Sequence, residues 1–469
     1  MKIQGIRRSR LVLFITLTLA VLWASWRPHK LLGVAAILSL GLLLATALAH
    51  AGGMARLIIT LLSVVFSLWG AEAIVAFSMP SSSRARIAAR QGVAYDRRAA
   101  LDVVLELRRQ GIDAIGNMRP WPPTDGAALV PLGGAPNRET VLCNEAGAYV
   151  TYHSDEYGFN NPRSVWSAQG TRLTLVGDSF THGACVPSEQ NIAGRLRERY
   201  PATLNLGWMG NGPLADLAVM REYVEPLKPP IVFWLHYEGN DVTDLNLEAH
   251  AKWPLSYLDP AFRQGLMSRT SEIDQLYRKL GSQERLEAAR ADRSTGPPHV
   301  LTLDAVEQRF GVDSPIIDFV QHLMLSEIRM KLSDLRDQWQ RQAKQRSAGF
   351  GMNRELFEAV LRLANDTIRQ WNGRLIVVYL PDWAAYDSPT RPDFHRADVL
   401  QVCERLGIPV IDIDPVFRAH PDPLSLFPLR QRGHYTAEGY QLVAQTLMSA
   451  VEADSFNAKR LDLPRAEGL

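Results

Sequence analysis

Three long apolar runs dominate the first 80 residues, at residues 11–26, 31–48 and 57–79, and none of them contains lysine or arginine. The second and third approach the roughly 20 apolar residues that a helix needs to cross a bilayer. The first reaches that length if Trp23 and Trp26 lie at the membrane interface. A signal peptide would need only one such run. The pattern therefore predicts three transmembrane helices within residues 1–80, with two as the alternative.

The charges that flank these runs predict their orientation. Four basic residues precede the first run, which favours a cytoplasmic N-terminus; they are Lys2, Arg7, Arg8 and Arg10. Three crossings would then place the rest of the chain on the periplasmic side of the cytoplasmic membrane, as a multi-pass protein. Two crossings would leave it in the cytoplasm. Arg27 and Lys30 count against the three-crossing prediction, because it would put both positive charges outside.

A change of composition follows the apolar runs. Residues 81–136 begin with three serines, continue as a basic amphipathic stretch through Arg109, and end in Pro- and Gly-rich sequence. Residues 151–162 are rich in aromatic and turn residues and resemble the D-x-x-G-F-x-N-P segment that precedes some catalytic domains. We expect residues 81–164 to form a stalk and an irregular extension.

From residue 165 the pattern alternates short apolar runs with amphipathic ones, which predicts a parallel sheet covered by helices on both faces. The runs are continuously apolar, as expected for strands buried on both sides. The predicted strands are 173–176, 203–206, 231–235, 375–380 and 410–413, and the predicted helices are 189–200, 213–227, 354–371, 396–406 and 437–451. This order predicts an α/β, flavodoxin-like, doubly wound domain over residues 165–455, with a tail at 456–469.

A long polar insertion interrupts this domain at about residues 245–350. It contains charged helical sequence at 271–293 and 326–345. A structureless loop of that length would be unusual in a compact domain. We expect helices that pack beside the mouth of the site.

Composition excludes some partners. The formal net charge of the 469-residue chain is +2, so there is no electrostatic case for binding nucleic acid. The three cysteines are too few for a disulfide scaffold and leave at least one thiol free, although a bridge between Cys143 and Cys185 is conceivable.

The candidate chemistry begins with the seven residues from Gly177 to Gly183, which read G-D-S-F-T-H-G directly after a predicted strand. A serine hydroxyl becomes nucleophilic when a base takes its proton and donors stabilise the resulting oxyanion. Three further blocks follow in order, each near a strand end or a helix start. They are N-L-G-W-M-G ending at Gly210, G-N-D around Asn240, and G-H-Y-T-A-E-G around His434.

Together the four blocks resemble the SGNH (GDSL-type) hydrolase superfamily, over roughly residues 165–453. The resemblance implies Ser179 as nucleophile and His434 as general base. It also implies an oxyanion hole made by the N–H groups of Ser179 and Gly210 and by the Asn240 side chain. Asp178 is interpreted as a structural residue that holds the turn.

Each candidate has an alternative. Ser179 could be a helix N-cap, and Asn240 could be a turn residue. Residues 210–215 also fit G-x-G-x-x-A, but Pro213 removes an N–H where a phosphate would bind, so a nucleotide site is disfavoured. His182 is a competing base, and His236 is expected to be a core or rim residue.

The sequence departs from the superfamily pattern before His434. The resemblance implies an aspartate two or three residues earlier, where this chain has Gln431 and Arg432. Either a Ser–His dyad operates, with a backbone carbonyl orienting the ring, or an acid arrives from elsewhere. Asp412, Asp414 and Asp422 are candidates only because they are near in sequence.

The function implied by the resemblance is a membrane-anchored serine esterase that needs no metal or cofactor. Its expected substrate is an acyl ester, in particular an O-acetyl group on a surface polysaccharide. Expected partners are the lipid bilayer and proteins of a polysaccharide pathway. Two alternatives stay open, an acyltransferase acting on a surface glycan and a non-catalytic carbohydrate-binding or assembly protein.

Overall fold

The computed structural model describes residues 84–118, 129–170, 172–282, 352–387 and 395–461. The chain divides into two compact units, of which residues 1–87 and 295–344 form one and residues 88–294 and 345–469 the other. The second unit contains all that follows, apart from the start of the first helix. The three apolar runs and residues 283–350 of the insertion, with the second predicted helical stretch at 326–345, lie outside the described residues. Within the described residues, no helix combines the length and the apolarity that crossing a bilayer requires.

A small sheet precedes the main domain. Strand β1 (Ala114–Gly116) pairs in parallel with β2 (Glu139–Cys143), which pairs in antiparallel with β3 (Val150–His153). Helices α1 (Arg84–Arg90) and α2 (Ala100–Arg109) come before it. We expected an irregular extension here. The three strands are short and lie among glycines and prolines, so their periodicity is too brief to distinguish them from loops.

The main sheet has five parallel strands in the order β5-β4-β6-β7-β8. Their bounds are β4 (Leu173–Gly177), β5 (Leu204–Asn205), β6 (Ile231–Tyr237), β7 (Arg374–Leu380) and β8 (Val410–Asp412). The chain moves from β4 outward to β5 and then returns past β4 to β6, so the strand order reverses beside β4. This is the flavodoxin-like order, in which sites form at the carboxyl ends of strands next to the reversal. The predicted fold class of the domain is confirmed.

Helices follow the strands as the pattern predicts. The first group is α3 (Ser179–His182), α4 (Ile192–Arg197), α5 (Pro213–Val219), α6 (Asp241–Glu248), α7 (Lys252–Leu255) and α8 (Thr270–Leu280). The second group is α9 (Arg354–Arg369), α10 (Ala384–Asp387), α11 (Arg396–Leu406), α12 (Asp414–Arg418) and α13 (Ala437–Leu461). A π-turn, Met220–Val224, extends α5, and α8 begins the first charged helical stretch predicted in the insertion.

Two apolar cores cover the two faces of the main sheet. Along β6, Val232 and Trp234 belong to the core on one face, whereas Phe233 and Leu235 belong to the core on the other. Every residue of β6 is buried. This double burial explains why the strand reads as a continuous apolar run rather than an alternating one.

Candidate active site

The serine turn between β4 and α3 depends on its two bracketing glycines. Gly177 has φ +152°, and a Cβ there would lie 2.7 Å from the Leu235 carbonyl oxygen. Gly183 has φ +81°, and a Cβ there would lie 2.3 Å from Cβ of Asn191. Both conformations favour glycine and both sites lack room for a side chain. The G-D-S-F-T-H-G spacing therefore reflects a turn that only glycine can begin and end.

Ser179 is the first residue of α3, and Asp178 is its N-cap. One carboxylate oxygen of Asp178 accepts the Phe180 N–H at 2.9 Å, and the other receives a long bond of 3.4 Å from the Ser179 hydroxyl. Burial raises the pKa of Asp178, against the lowering effect of these donors and of His434. The contacts agree with the interpretation of Asp178 as a residue that holds the turn.

His434 lies directly against the serine. Its Nε2 is 2.9 Å from the Ser179 Oγ, well within the range of a hydrogen bond between a nucleophile and its base. The Phe180 ring packs 4.9 Å from the imidazole, centroid to centroid. The predicted nucleophile and the predicted base are therefore in contact, although they are 255 positions apart in the chain.

Glu145 completes the line of polar groups, and the sequence analysis did not identify it. Its Oε1 lies 3.2 Å from Nδ1 of His434. Its Oε2 accepts the backbone N–H of the same residue at 2.9 Å. The Nδ1 contact is close enough for an ion pair but is not aligned as a hydrogen bond. A buried carboxylate in this place can orient the imidazole and stabilise its protonated form.

The loop between β2 and β3 carries Glu145 and is held on both sides. The Asn144 amide donates to the Asp96 carbonyl at 2.8 Å, and its oxygen accepts the Gly147 N–H at 2.9 Å. A disulfide joins Cys143, two residues before Glu145, to Cys185, just after the serine helix. Cys403 is the remaining cysteine and is buried with a free thiol. The acid thus belongs to a loop bonded covalently to the serine turn.

The three aspartates proposed from sequence proximity are engaged elsewhere. Asp412 pairs with Arg396, and Asp422 pairs with Arg430. Asp414 accepts hydrogen bonds from Arg418 and Tyr386. The displaced acid therefore does not come from this part of the chain. One feature of the sequence pointed to Glu145: pairing Cys143 with Cys185 would bring residue 145 to the serine turn.

The competing histidines are buried away from this line of groups. His182 is fully buried, with its ring stacked on Trp208 at 4.8 Å. His236 is also fully buried, 3.2 Å from an Asp241 oxygen. Burial lowers the pKa of His236 to about 4, so its ring is neutral at pH 7. His236 is a core residue, as expected, and neither ring is the base that the Ser179 contact selects.

The expected oxyanion donors lie at the ends of neighbouring strands. Gly210 is exposed with φ +79°, and a Cβ there would meet open space. Asn240 is the N-cap of α6 and donates from Nδ2 to an Asp244 oxygen at 2.8 Å. Asn240 also lies close enough to lower the pKa of Asp178, which places its amide beside the serine turn. The oxyanion roles of Ser179, Gly210 and Asn240 stay predictions.

The nucleotide alternative at residues 210–215 conflicts with what occupies the start of α5. Glu248 accepts the N–H groups of Gly212 and Leu214, each at 2.8 Å. A carboxylate already satisfies the free N–H groups that a phosphate would need, and its negative charge would repel one.

The aromatic segment at residues 151–162 makes many of the hydrogen bonds that support the site. Asp155 accepts hydrogen bonds from two backbone N–H groups and from the side chains of Asn161 and Trp166, all at 2.8–2.9 Å. Burial nevertheless raises the pKa of Asp155 to about 6. Asn161 exchanges hydrogen bonds with the backbone of Asn205 on β5, and Asn160 donates to the His182 carbonyl at 3.0 Å. The segment thereby joins the serine helix to the strand that leads to Gly210.

Comparisons with known proteins gave no match to a family profile and none to a curated protein sequence. Among solved structures, a lipase/acylhydrolase from Enterococcus faecalis is 12% identical, with a TM-score of 0.32, covering 61% of this chain and 97% of its own. The acetyl xylan esterase AlAXEase is 12% identical, with a TM-score of 0.31, covering 60% and 99%. An acetylxylan esterase from Geobacillus stearothermophilus is 14% identical, with a TM-score of 0.29, covering 60% and 94%. These TM-scores are below 0.5, so the site's own geometry carries the functional argument.

Proposed function

We propose that this chain is a serine esterase of the SGNH type, with Ser179, His434 and Glu145 as its catalytic triad. The observation that carries the proposal is the continuous line of groups from the Ser179 hydroxyl through the His434 ring to the Glu145 carboxylate. The non-catalytic alternative rested on the missing acid before His434. A buried carboxylate in the place of that acid removes its main support.

The arrangement supports acyl transfer by the following steps. His434 Nε2 takes the proton of Ser179 as the oxygen attacks an ester carbonyl, and Glu145 stabilises the imidazolium. The Ser179 and Gly210 N–H groups and the Asn240 amide are the proposed donors to the tetrahedral oxyanion. The imidazolium then protonates the leaving alcohol, and a water molecule activated by the same base releases the acid.

Covalent labelling tests the nucleophile. The full chain in detergent should react with a fluorophosphonate, and mass spectrometry should place the adduct on Ser179. Ser179→Ala is the matched control and should not be labelled. The labelled protein should also lose its hydrolysis of p-nitrophenyl acetate in proportion to labelling. An unlabelled wild type that is folded by circular dichroism would contradict the proposal.

The finer proposal is an anchored enzyme that removes O-acetyl groups from a surface polysaccharide. Its support is the superfamily resemblance and the three apolar runs before residue 80. A phosphatase fused after Leu469 should be active in the periplasm if three crossings occur. A cytoplasmic reporter active at the same point would contradict both the topology and the surface substrate.

The substrate proposal is tested by acetate release from O-acetylated polysaccharide, with the chemically deacetylated polymer as control. Acetate released to water supports the esterase. Transfer of acetyl groups to an added unacetylated glycan, with little free acetate, would identify the acyltransferase instead.

A further inference from the structure

Three atoms that could hold a metal ion, a sulfur, a ring nitrogen and a carboxylate oxygen, meet at the His434 ring. The Cys185 Sγ, the His434 ring nitrogens and the Glu145 carboxylate supply one ligand atom each, and these three atoms all lie within 4.8 Å of one another. Glu145 and Cys185 are buried, and the His434 side chain is 16% exposed. In the oxidised protein Cys185 is bonded to Cys143, so its sulfur is not a thiolate ligand.

We propose that reduction of the Cys143–Cys185 disulfide creates an inhibitory zinc site made by Cys185, His434 and Glu145. The proposal rests on the catalytic triad of the proposed function for its effect on activity, but not for the binding itself. Thiolate, imidazole and carboxylate are the three side-chain groups that bind Zn²⁺ in proteins, and three protein ligands plus water make a complete tetrahedral site.

The geometry requires only a small adjustment. Ligand atoms about 2.0–2.3 Å from a tetrahedral zinc ion lie roughly 3.3–3.8 Å from one another. Separations of no more than 4.8 Å must therefore shorten by at most about 1.5 Å. A Cys185 side chain released from Cys143 can move by rotating about its Cα–Cβ bond. Glu145 can keep its bond to the His434 N–H through Oε2, because the ring faces the other oxygen.

The position of the metal explains the inhibition. Nδ1 is the ring nitrogen that faces Glu145, so the metal would bind there while Nε2 faces Ser179. A neutral imidazole that gives its Nδ1 lone pair to a metal carries its proton on Nε2. That nitrogen can then only donate to Ser179 and cannot accept the hydroxyl proton. Zinc would thus block the base without touching the serine.

The reduction itself can be written with a phosphine as reductant. The phosphine gives two electrons to the S–S bond and becomes a phosphine oxide with the oxygen of water. The two protons of that water end on the Cys143 and Cys185 sulfurs. Zinc binding then releases the Cys185 proton, because the ligand is the thiolate.

Two single variants form a matched pair for the test. Of the two bridge cysteines, Cys143→Ser leaves Cys185 as a thiol and Cys185→Ser leaves Cys143 as a thiol, and both variants lack the disulfide. Cys403 is common to both, and burial raises the pKa of its thiol to about 12, so it is a poor ligand in either. The comparison therefore isolates the Cys185 sulfur from any effect of losing the bridge.

Zinc titration of p-nitrophenyl acetate hydrolysis gives the first measurement. We expect phosphine-treated wild type and Cys143→Ser to be half-inhibited at a Zn²⁺ concentration at least about tenfold lower than untreated wild type and Cys185→Ser, which corresponds to about 1.4 kcal/mol. Chelation should restore the rate. Equal sensitivity of the two variants, or of treated and untreated wild type, would overturn the proposal.

Cobalt absorption gives a second measurement that does not need activity. Co²⁺ should produce a sulfur-to-metal charge-transfer band in Cys143→Ser, and adding Zn²⁺ should remove it. Cys185→Ser should show no such band. If none of the proteins hydrolyses esters, the proposed function fails while the band still decides the metal site. A band in both variants, or in neither, would refute the site.

Discussion

Glu145 contacts His434 twice, accepting its backbone N–H at 2.9 Å with one carboxylate oxygen and facing its Nδ1 at 3.2 Å with the other. The two contacts fix the residue and its ring through a single side chain. Such a carboxylate sets the position of the base as well as its charge. It also comes from upstream of the nucleophile, whereas the superfamily pattern implies an acid just before the histidine.

The first prediction concerns this acid. Glu145→Gln keeps the size of the side chain but removes the charge that stabilises the imidazolium, and it should lower kcat by roughly 10²–10⁴-fold. Asp412→Asn, Asp414→Asn and Asp422→Asn are the comparison set and should stay near the wild-type rate. Steady-state hydrolysis of p-nitrophenyl acetate measures all four. A near-wild-type rate for Glu145→Gln would restore the dyad with a backbone carbonyl.

The nucleophile and the base should behave as one unit. Ser179→Ala and His434→Ala should each lower kcat by several orders of magnitude, and the double variant should be little worse than either. The 2.9 Å contact between the two side chains is the reason, because neither group acts without the other. Additive losses in the double variant would show that the two residues act independently. If His434→Ala kept most of its activity, the assignment of His434 as the base would be wrong.

Asn240 is one of three proposed oxyanion donors, so its loss should remove only part of the stabilisation of the oxyanion. Asn240→Ala should lower kcat by roughly 10²–10³-fold with little change in KM, because the bond strengthens in the transition state. The measurement is a kcat and KM determination with a folded variant. Asp244→Asn is an informative companion, since Asp244 accepts from the same amide at 2.8 Å. A large rise in KM with unchanged kcat would instead place Asn240 in substrate binding.

His236 should make stability depend on pH. Burial lowers its pKa from the ordinary 6.5 to about 4, so the unfolded chain takes up a proton before the folded protein does as the pH falls. The stability that His236 contributes is therefore full above pH 6.5 and lost between pH 6.5 and 4, by about 3 kcal/mol. The measurement is urea unfolding of wild type and His236→Gln at pH 6.5 and at pH 4. The free energy of unfolding should fall more between the two pH values in wild type than in the variant.

The matched control for that measurement is His250→Gln. His250 is exposed, so its replacement controls for the loss of a histidine outside the core. Buried acids such as Asp155, with a pKa raised to about 6, act in the opposite direction and are common to all the proteins compared. If the free energy of unfolding changed equally with pH in wild type and His236→Gln, the prediction would be contradicted.

The main sheet was predictable because its strands obey one strong rule. A strand buried on both faces must be apolar at every position, as β6 is, and such runs are visible without any tertiary information. The serine turn was visible for a similar reason, since Gly177 and Gly183 meet local steric demands that a sequence records directly. Helices α5, α9 and α11 began where the pattern placed them.

Glu145 and the small sheet were not predictable in this way. The contact between Glu145 and His434 spans 289 positions. The only pointer to it in the sequence is the nearby Cys143, and the sequence leaves the pairing of Cys143 with Cys185 open. Asn160 and Asn161 read as turn residues, although their amides bond to the backbone of the serine helix and of β5. A side chain that bonds to a residue far away in the sequence produces no periodic pattern in the residues around it.

The upstream origin of the acid has a consequence for how this protein can be divided. A fragment bounded by the four blocks, starting at Val165, would include the nucleophile, the base and the expected oxyanion donors. It would omit the acid, the loop that carries it and one half of the disulfide that joins this loop to the serine turn. The smallest unit that contains all the proposed catalytic groups therefore begins before the main sheet, and any transplant of this chemistry must include the loop that carries Glu145.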